Sequence, residues 1–329
     1  MKKENILVTG GAGYIGSHVV RDLGERGFNP IVLDNLSMGN RDYVLYGNFV
    51  EGDIEDSDLV SKVIDKYGIK SVIHFAAFIQ VEESVRDPLK YYHNNSVKSL
   101  KLIETCINKG IESFVFSSTA AVYGVPEVVP SDEYSNLNPI NSYGSSKLFT
   151  EMVLRDVAKS NPDFNYIALR YFNVAGSDGK VRIGQNYKKP THLITLALRA
   201  ALGEYPSLKV FGTDYGTRDG TAIRDYIHVD DLSIAHLLSL EFLKNRKESN
   251  IFNCGYGRGS TVREVVETVK AVTGVNFKTE DSDRRAGDAP VLIADSKKIR
   301  EKLNWVPKRD NLDLIIRSAW EWEKKLKGK

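Results

Sequence analysis

The amino-acid sequence predicts an α/β protein: a doubly wound parallel sheet of the Rossmann type, with a smaller C-terminal α/β domain. Short β-rich runs alternate with longer helical patterns in the first half of the chain, which is typical of βαβ units. Several of these runs are almost entirely apolar, as expected for strands that helices cover on both faces. A length of 329 residues leaves room for a second domain.

The elements of the first domain follow in order from these patterns. Apolar β-rich runs predict strands at 5–9, 30–34, 48–53, 71–76, 113–118 and 166–172. Helical spacing of apolar residues predicts helices between them, at 15–26, 57–67, 88–109 and 144–159.

The sequence becomes less regular after about residue 175, where two polar stretches are rich in glycine. Further helices are predicted at 191–202, 230–245, 261–273 and 311–327, and further strands at 208–211 and 249–254. We therefore expect one domain over 1–175 and a substrate-binding domain over 176–329, with a segment near 225–255 returning to the first.

Composition excludes several classes of protein. Hydrophobic residues make up 42% and charged residues 27% of the chain, and the net charge of +2 gives no basic surface for nucleic acid. No apolar run is long enough to span a bilayer, and the N-terminus has no apolar signal-peptide core. Cys106 and Cys254 give neither a disulfide framework nor a metal-binding spacing. We expect a cytoplasmic protein that binds no nucleic acid, membrane or metal.

A glycine-rich loop follows the first predicted strand and opens the first helix. The stretch "LVTGGAGYIGSH" supplies Gly10, Gly13 and Gly16, which allow a tight turn and bring the backbone close to a pyrophosphate at the helix N-terminus. Asp34 ends the second strand, where its carboxylate accepts hydrogen bonds from the adenosine ribose. It would repel a ribose 2′-phosphate, so the motif predicts NAD rather than NADP.

Asp53 ends the third strand in "EGDI" and has two interpretations. It meets the adenine edge of the cofactor, or it caps the helix that begins near Asp56. The sequence alone leaves both open.

A tyrosine and a lysine lie one helical turn apart in "INSYGSSK". Tyr143 and Lys147 share one face of a helix that follows the strand "FVFSS". A free phenol has a pKa of about 10, and a neighbouring ammonium and the positive nicotinamide ring favour its ionised form. Ser117, Ser118 and Thr119 add hydroxyl groups at the carboxyl end of that strand. This pattern predicts proton transfer to and from a substrate hydroxyl.

Taken together, these motifs resemble the UDP-glucose (UDP-galactose) 4-epimerase family of the extended short-chain dehydrogenase/reductases. The resemblance covers essentially the whole chain. It is carried, in order, by "VTGGAGYIGSH", "LDNLS", "EGDI", "VIHFAA", "FSSTAAVYG", "SYGSSK", "LRYFNVAG", "DGTAIRDYIHVDDL" and "RRAGD".

The resemblance implies a catalytic group of three residues and a tightly bound NAD. Tyr143 would accept the proton of the sugar 4-hydroxyl while a hydride leaves C4 for NAD. The 4-keto sugar would turn over and take the hydride back on its other face. Lys147 would tune the tyrosine and bind the nicotinamide ribose, and Thr119 would hydrogen-bond the reacting hydroxyl.

The resemblance also implies two sets of binding residues. Those for NAD are Gly10, Gly13, Tyr14, Ile15, Gly16, Asp34, Asn35, Ser37, Asp53, Ile54, Phe75, Ala76, Ala77, Asn95, Lys147 and Phe172. Those for the UDP-sugar are Thr119, Tyr143, Asn173, His192, Leu193, Phe211, Arg224, Tyr226, Arg285, Asp288 and Leu292. Two of the latter, Arg224 and Arg285, can clamp a pyrophosphate by charge-assisted hydrogen bonds.

Three positions depart from a well-studied bacterial member of the family. Ile79 stands where that protein has a lysine, so one contact to a cofactor phosphate is lost or replaced. His192 stands where it has a sugar-pocket asparagine. Leu292 stands where it has a bulky tyrosine that limits sugar size, so the pocket is expected to accept an N-acetyl group at C2.

Three alternative functions differ from this one in the substrate, in the reaction or in the absence of any activity. A 4-epimerase for UDP-pentoses or UDP-uronic acids would use the same nucleotide anchor. A nucleotide-sugar 4,6-dehydratase needs an Asp-Glu pair where this chain has Ala120 and Ala121, which cannot transfer protons. A non-catalytic NAD-binding regulator commonly lacks the tyrosine or the lysine, and both are present here.

A homodimer is implied by the resemblance, through helices 88–109 and 144–159. Apolar residues recur along both helices at helical spacing, and burial against the sheet explains most of them. They are Leu89, Tyr92, Leu100, Ile103, Ile107, Leu148, Met152 and Val153.

Overall fold

The computed structural model describes residues 3–328. Its strands are β1 (Asn5–Thr9), β2 (Asn29–Asp34), β3 (Asn48–Glu51), β4 (Ser71–His74), β5 (Ser113–Thr119), β6 (Asn165–Tyr171), β7 (Asn173–Ala175), β8 (Leu208–Phe211), β9 (Ile223–His228), β10 (Asn250–Cys254), β11 (Gly259–Thr261), β12 (Thr279–Ser282) and β13 (Val291–Leu292). Its α-helices are α1 (Tyr14–Glu25), α2 (Ser57–Tyr67), α3 (Val81–Arg86), α4 (Pro88–Tyr91), α5 (Lys98–Asn108), α6 (Ser142–Ser160), α7 (Leu193–Ala201), α8 (Val229–Arg246), α9 (Val262–Thr273), α10 (Lys297–Leu303) and α11 (Leu312–Leu326).

A seven-stranded parallel sheet forms the centre of the protein, in the order β10-β6-β5-β4-β1-β2-β3. Alternate residues of each strand join different cores. Ile6 and Val8 of β1 pack with apolar residues of α1 and α8, whereas Leu7 packs with those of α2, α5 and α6. Both faces are therefore covered, which explains the near-continuous apolar runs. The predicted fold class is confirmed.

The order of the strands also positions the functional site. From β1 the chain runs outward through β2 and β3, and it then returns to the other side of β1 as β4. A crevice opens at the carboxyl ends of strands where the order reverses in this way, and such crevices bind nucleotides. The glycine-rich loop lies there, directly after β1.

A second, smaller sheet lies in the C-terminal part of the chain. Its strand β9 pairs with β7, β11 and β13, while β8 pairs with β12. One edge strand of the large sheet, β10, also comes from this part of the chain. Helix α8 packs against α1 and against β5 and β6. Among residues 3–328, no helix has the length and apolar character needed to cross a membrane.

The predicted helix 88–109 is interrupted. A π-helical turn at Tyr92–Val97 separates α4 from α5. Such turns are often found at functional sites, and this one carries Asn95, whose side chain binds the backbone N–H and C=O of Phe78 at 2.8 and 2.9 Å. The prediction of one regular helix was wrong because apolar spacing does not detect one extra residue per turn.

The structure also differs from the prediction at the ends of some strands and in a few elements that were not predicted. The strands predicted at 48–53 and 71–76 end at Glu51 and His74, because the chain leaves the sheet to line the crevice. Strand β9 was not predicted, since Arg224 and Asp225 interrupt its apolar pattern. The short helices α3 and α10 were also missed.

Candidate active site

A cleft of about 850 Å³, open solvent included, lies at the carboxyl ends of β1, β2 and β4. Most of the predicted NAD-binding residues line it. They are Gly10, Gly13, Tyr14, Ile15, Gly16, Asp34, Asn35, Ser37, Asp53, Ile54, Phe75, Ala76 and Ala77. We call this space the cofactor cleft.

The glycine loop is packed too tightly to carry side chains. Gly10 has φ +70°, and a Cβ there would lie 2.6 Å from the backbone nitrogen of Ala76. A Cβ on Gly16 would lie 2.3 Å from the carbonyl oxygen of Gly10. Gly13 precedes α1 and has no side chain with which to cap it, so the first N–H groups of the helix are left for a ligand. The loop therefore fits the pyrophosphate of a dinucleotide.

Asp34 is fixed beside this loop by two backbone N–H groups. Ala12 donates to Oδ2 at 3.0 Å and Leu36 donates to Oδ1 at 2.9 Å. Burial raises the pKa of Asp34, and the two donated hydrogen bonds oppose that rise. A carboxylate has further lone pairs. Asp34 can therefore still accept hydrogen bonds from the two ribose hydroxyls of NAD.

Asp53 is not the cap of α2. That helix is capped by Asp56, whose Oδ1 accepts from the backbone N–H of Leu59 at 2.9 Å. Asp53 instead lines the cofactor cleft and accepts hydrogen bonds from Asn35 Nδ2 at 2.9 Å and Lys98 Nζ at 2.8 Å. The capping interpretation was therefore wrong, and the position agrees with the adenine end of a dinucleotide.

The tyrosine and lysine lie on the first turns of α6, which Asn141 caps by accepting from the N–H of Gly144 at 2.8 Å. Lys147 is buried, and its Nζ donates to the carbonyl oxygen of Ser117 at 2.9 Å. Burial lowers the pKa of Lys147 to about 7, and the charge of Glu151 opposes this. The ammonium is thus poised to change its charge near neutral pH.

Tyr143 is buried beside Thr119, at the end of β5. Burial raises the pKa of Tyr143 to about 12, and the hydroxyl of Thr119 opposes the rise. The protein alone therefore keeps this phenol protonated. A positive charge brought into the cleft would favour the phenolate and make Tyr143 a general base.

Of the predicted arginine pair, Arg224 lies on β9 and Arg285 lies on the segment that precedes β13. The charges of Asp288 and Arg285 both act on Arg224, and Arg285 Nε donates to Asp288 Oδ2 at 3.1 Å. The guanidinium of Arg285 lies over the ring of Phe211, 5.4 Å from its centroid. Leu292 is the partner of Arg224 in the β9–β13 pairing. These residues form one cluster that can bind an anion against an aromatic face.

A second cavity is lined by Asn173, His192, Leu193 and Tyr226. The ring of His192 stacks on Tyr187 with centroids 5.8 Å apart. Its buried Nδ1 has no hydrogen-bond partner among residues 3–328. Burial lowers the pKa of His192 to about 4, and the charge of Arg285 adds to this effect. His192 therefore offers a neutral ring to this cavity.

Three predicted cofactor residues do not line the cofactor cleft. Asn95 is committed to Phe78 and Ser146 through hydrogen bonds, and Phe172 packs with Tyr123. Nζ of Lys147 donates instead to the carbonyl oxygen of Ser117, a residue that does line the cleft.

Sequence reasoning missed several residues that line the cleft. They are Leu33, Met38, Gly39, Gly52, Phe78, Ile79, Asn94, Tyr171 and Tyr187; Ser117, which was expected at this strand end, lines the cleft as well. At Ile79 the sequence indicates only that a lysine is replaced. Tyr171 ends β6, and its position at a strand end was the one available signal. Tyr187 lies in an irregular stretch and gave none.

Comparisons with known proteins agree with this geometry. Residues 6–255 match the model of the NAD dependent epimerase/dehydratase family. The chain is similar to a UDP-glucose 4-epimerase of Azospirillum brasilense, with 51% identity over 98% of this chain and 92% of the other.

Solved structures extend the similarity to the fold. One is a UDP-glucose 4-epimerase from Brucella ovis in complex with NAD, with TM-score 0.93 and 45% identity over 97% of this chain and 98% of the other. Another is a UDP-Glc/GlcNAc 4-epimerase from Campylobacter jejuni, with TM-score 0.86 and 49% identity over 98% of this chain and 99% of the other. The resemblance inferred from the motifs is confirmed. With a glycine loop and cleft that fit a dinucleotide and a family match from β1 to β10, the chain belongs to the NAD dependent epimerase/dehydratase family.

Proposed function

We propose that this isomerase interconverts UDP-galactose and UDP-glucose at C4 through a 4-keto sugar. The observation that carries the proposal is the placement of Tyr143 and Lys147 on α6 against the end of β5, which borders the cofactor cleft. NAD, when bound, supplies the hydride acceptor and donor. The residues that fit it are the glycine loop with Asp34 and Asp53.

The residues of the chain then carry out proton transfer. The phenolate of Tyr143 takes the proton of the sugar 4-hydroxyl and returns it after the ring has turned over. Thr119 lies beside the phenol and donates to the same hydroxyl. Lys147 favours the ionised phenol because its ammonium lies on the same helical face one turn away.

The nucleotide is held apart from the reacting sugar. Arg224 and Arg285 bind the pyrophosphate of UDP by charge-assisted hydrogen bonds, and Asp288 orients Arg285. An anchor on the nucleotide leaves the sugar free to present either face. By resemblance, this part of the site is completed by Asn173, Leu193, Phe211 and Tyr226.

The direct test is incubation of the purified protein with UDP-galactose and no added NAD, followed by chromatography of the nucleotide sugars. Formation of UDP-glucose would support 4-epimerisation with a retained cofactor. Absence of UDP-glucose, even with NAD supplied, would contradict the proposal. Conversion of a UDP-pentose or UDP-uronic acid instead would identify the alternative 4-epimerase.

Acceptance of an N-acetyl group at C2 is a further part of the proposal. Leu292 lies next to Arg224 in the β9–β13 pairing and contacts the cluster that contains Phe172. A tyrosine there would extend into the space that the acetyl group needs. We expect Leu292→Tyr to lower kcat/KM for UDP-N-acetylglucosamine at least about tenfold, since a misfit of this size costs roughly 1–3 kcal/mol.

The measurement for this variant is a comparison of UDP-N-acetylglucosamine with UDP-glucose under the same conditions. Turnover of UDP-glucose should change little, and Leu292→Met is the control that preserves volume. Equal loss with both sugars, or no turnover of the acetylated sugar by the unmodified protein, would contradict the size argument.

A homodimer through helices 88–109 and 144–159 is also proposed. Leu89, Tyr92, Leu100 and Met152 are exposed on these helices, whereas Ile103 is buried and belongs to the core. We expect the protein to sediment as a dimer and Leu100→Glu/Met152→Glu to sediment as a monomer, because a buried unpaired charge is costly.

The control for that experiment is Val306→Glu, at an exposed apolar residue outside the two helices. It should leave the dimer intact. A monomeric unmodified protein, or a double variant that remains dimeric, would contradict the proposed interface.

The proposal also includes the two domains and the location. Division into an NAD-binding unit, 1–175, and a nucleotide-sugar unit, 176–329, is supported by the cofactor cleft and the arginine cluster, apart from the ends 1–2 and 329, which lie outside the described residues. A cytoplasmic location is also proposed, and the free state of Cys106 and Cys254 agrees with it because disulfides are rare in that compartment.

A further inference from the structure

A buried ion pair lies next to the tyrosine and lysine of α6. The side chains of Glu151 and Arg170 are almost inaccessible, with 3% and 1% of each residue exposed. Arg170 binds both carboxylate oxygens, with Nη2–Oε2 at 2.6 Å and Nε–Oε1 at 3.0 Å. Such pairs add little net stability, because two charges must first be removed from water. Stability alone therefore does not explain why the pair lies here.

The pair is connected to the strand that carries the catalytic contacts. Lys147 and Glu151 lie one turn apart on the same face of α6. Lys147 donates to the carbonyl oxygen of Ser117, and the hydroxyl of the next residue, Ser118, donates to Glu151 Oε1. The same carboxylate thus binds α6 to β5 one helical turn after Lys147, and its negative charge acts on the ammonium.

Among the groups around Lys147, Glu151 contributes the negative charge. Titratable and charged groups come from its own helix, from β4 and from β6. They are Tyr143, Glu151, His74, Arg170 and Tyr171. His74 is held between Thr9 and Ser99, and its burial lowers its pKa to about 3, so it is neutral. Within residues 3–328, Glu151 is the carboxylate whose charge stabilises the ammonium.

We propose that Glu151, held by Arg170 and Ser118, is a positioning residue that keeps the Lys147 ammonium charged and directed at β5 beside the Tyr143 phenol. The carboxylate acts through Lys147 and touches neither substrate nor cofactor. This inference rests on the proposed epimerase function.

The test is the pH dependence of kcat for UDP-galactose in Glu151→Gln, which keeps the shape and loses the charge. Lys147 is charged below its pKa, so activity that needs the ammonium is lost as pH rises through that value. Removal of a nearby negative charge lowers the pKa further. We expect the alkaline limb of the pH profile to shift to lower pH by about one unit. At pH 8, kcat should be about tenfold lower than in the unmodified protein, and the difference should be smaller at pH 6.5. KM should stay within about twofold.

Two variants separate positioning from folding. Glu151→Asp keeps the charge and should restore the alkaline limb of the unmodified protein. Asp22→Asn removes the aspartate of another buried pair, Arg21–Asp22 at 2.6 Å, and should lower stability without moving the limb. If Glu151→Gln fails to fold, Glu151→Gln/Arg170→Met leaves no unpaired charge. Its alkaline limb should move in the same direction but by less, because the positive charge of Arg170 is lost as well.

The outcomes are distinct. An unmodified protein that does not epimerise UDP-galactose contradicts the proposed function. An active unmodified protein whose folded Glu151→Gln or double variant keeps the original limb overturns the inference, because the pair is then a structural element only.

Discussion

The Tyr143→Phe variant is expected to lose 4-epimerisation almost completely, with kcat for UDP-galactose about 10²–10⁴-fold lower. The substitution removes one hydroxyl from a buried side chain beside Thr119 and leaves the ring in place. Lys147 keeps its bond to Ser117, so the cofactor cleft and the fold should be unaffected. The loss would therefore report proton transfer alone.

The measurement is kcat at saturating UDP-galactose, together with the NAD content of the purified variant. Tyr166→Phe is the matched control, since Tyr166 is a buried tyrosine on β6 that packs in the core on the α6 side of the sheet. It should keep its activity within about twofold. A Tyr143→Phe variant that retains a tenth or more of the activity would show that another group transfers the proton.

The second large effect is expected for Gly10→Ala, which should abolish NAD binding. The new Cβ would lie 2.6 Å from the backbone nitrogen of Ala76, and φ of +70° is strained for alanine. Either the loop or the segment after β4 must move. Both border the cofactor cleft, so we expect an NAD affinity at least about 100-fold lower and little NAD in the purified protein, because a displacement of the pyrophosphate loop costs several hydrogen bonds.

Gly274→Ala separates the clash from the strain. Gly274 has φ +69°, but no atom lies within 4 Å of the position that a Cβ would take, so alanine there is strained without a clash. We expect Gly274→Ala to lose roughly 1 kcal/mol of the free energy of unfolding and to bind NAD normally. Calorimetric titration of NAD and urea unfolding of both variants make the comparison. Equal NAD affinity in the two variants would contradict the steric argument.

The parts of the site that could be predicted are those that depend on local pattern. The glycine loop joins a strand end to a helix start, Asp34 ends a strand, and the Tyr143–Lys147 spacing opens a helix after a strand. Chain order alone brings them to one crevice. Asp53 was ambiguous because the same residue types cap helices. The capping interpretation fails because Asp56 caps α2, and the contact of Asp53 with the adenine end stays a prediction.

The parts that could not be predicted depend on tertiary packing. Tyr187 reaches the cleft from a polar segment without periodicity. The assignment of Asn95 to the cofactor stays a prediction, whereas the π-helical turn that directs its amide to Phe78 left no signal in the apolar spacing. Glu151 looked like any polar residue of an amphipathic helix, and only Arg170 of the neighbouring strand identifies it as part of a buried pair. No apolar pattern contains that information.

The position of β10 has a consequence for how the protein is made. Strand β6 leaves the ribosome well before β10, so its outer edge stays unpaired while the segments between them are synthesised. The apolar face that α8 covers is exposed over the same interval. Unpaired edges and uncovered faces favour aggregation. The N-terminal half therefore does not complete its fold during translation until residues of the other half have been synthesised. As a result, the cofactor site and the substrate site are completed at the same stage of folding.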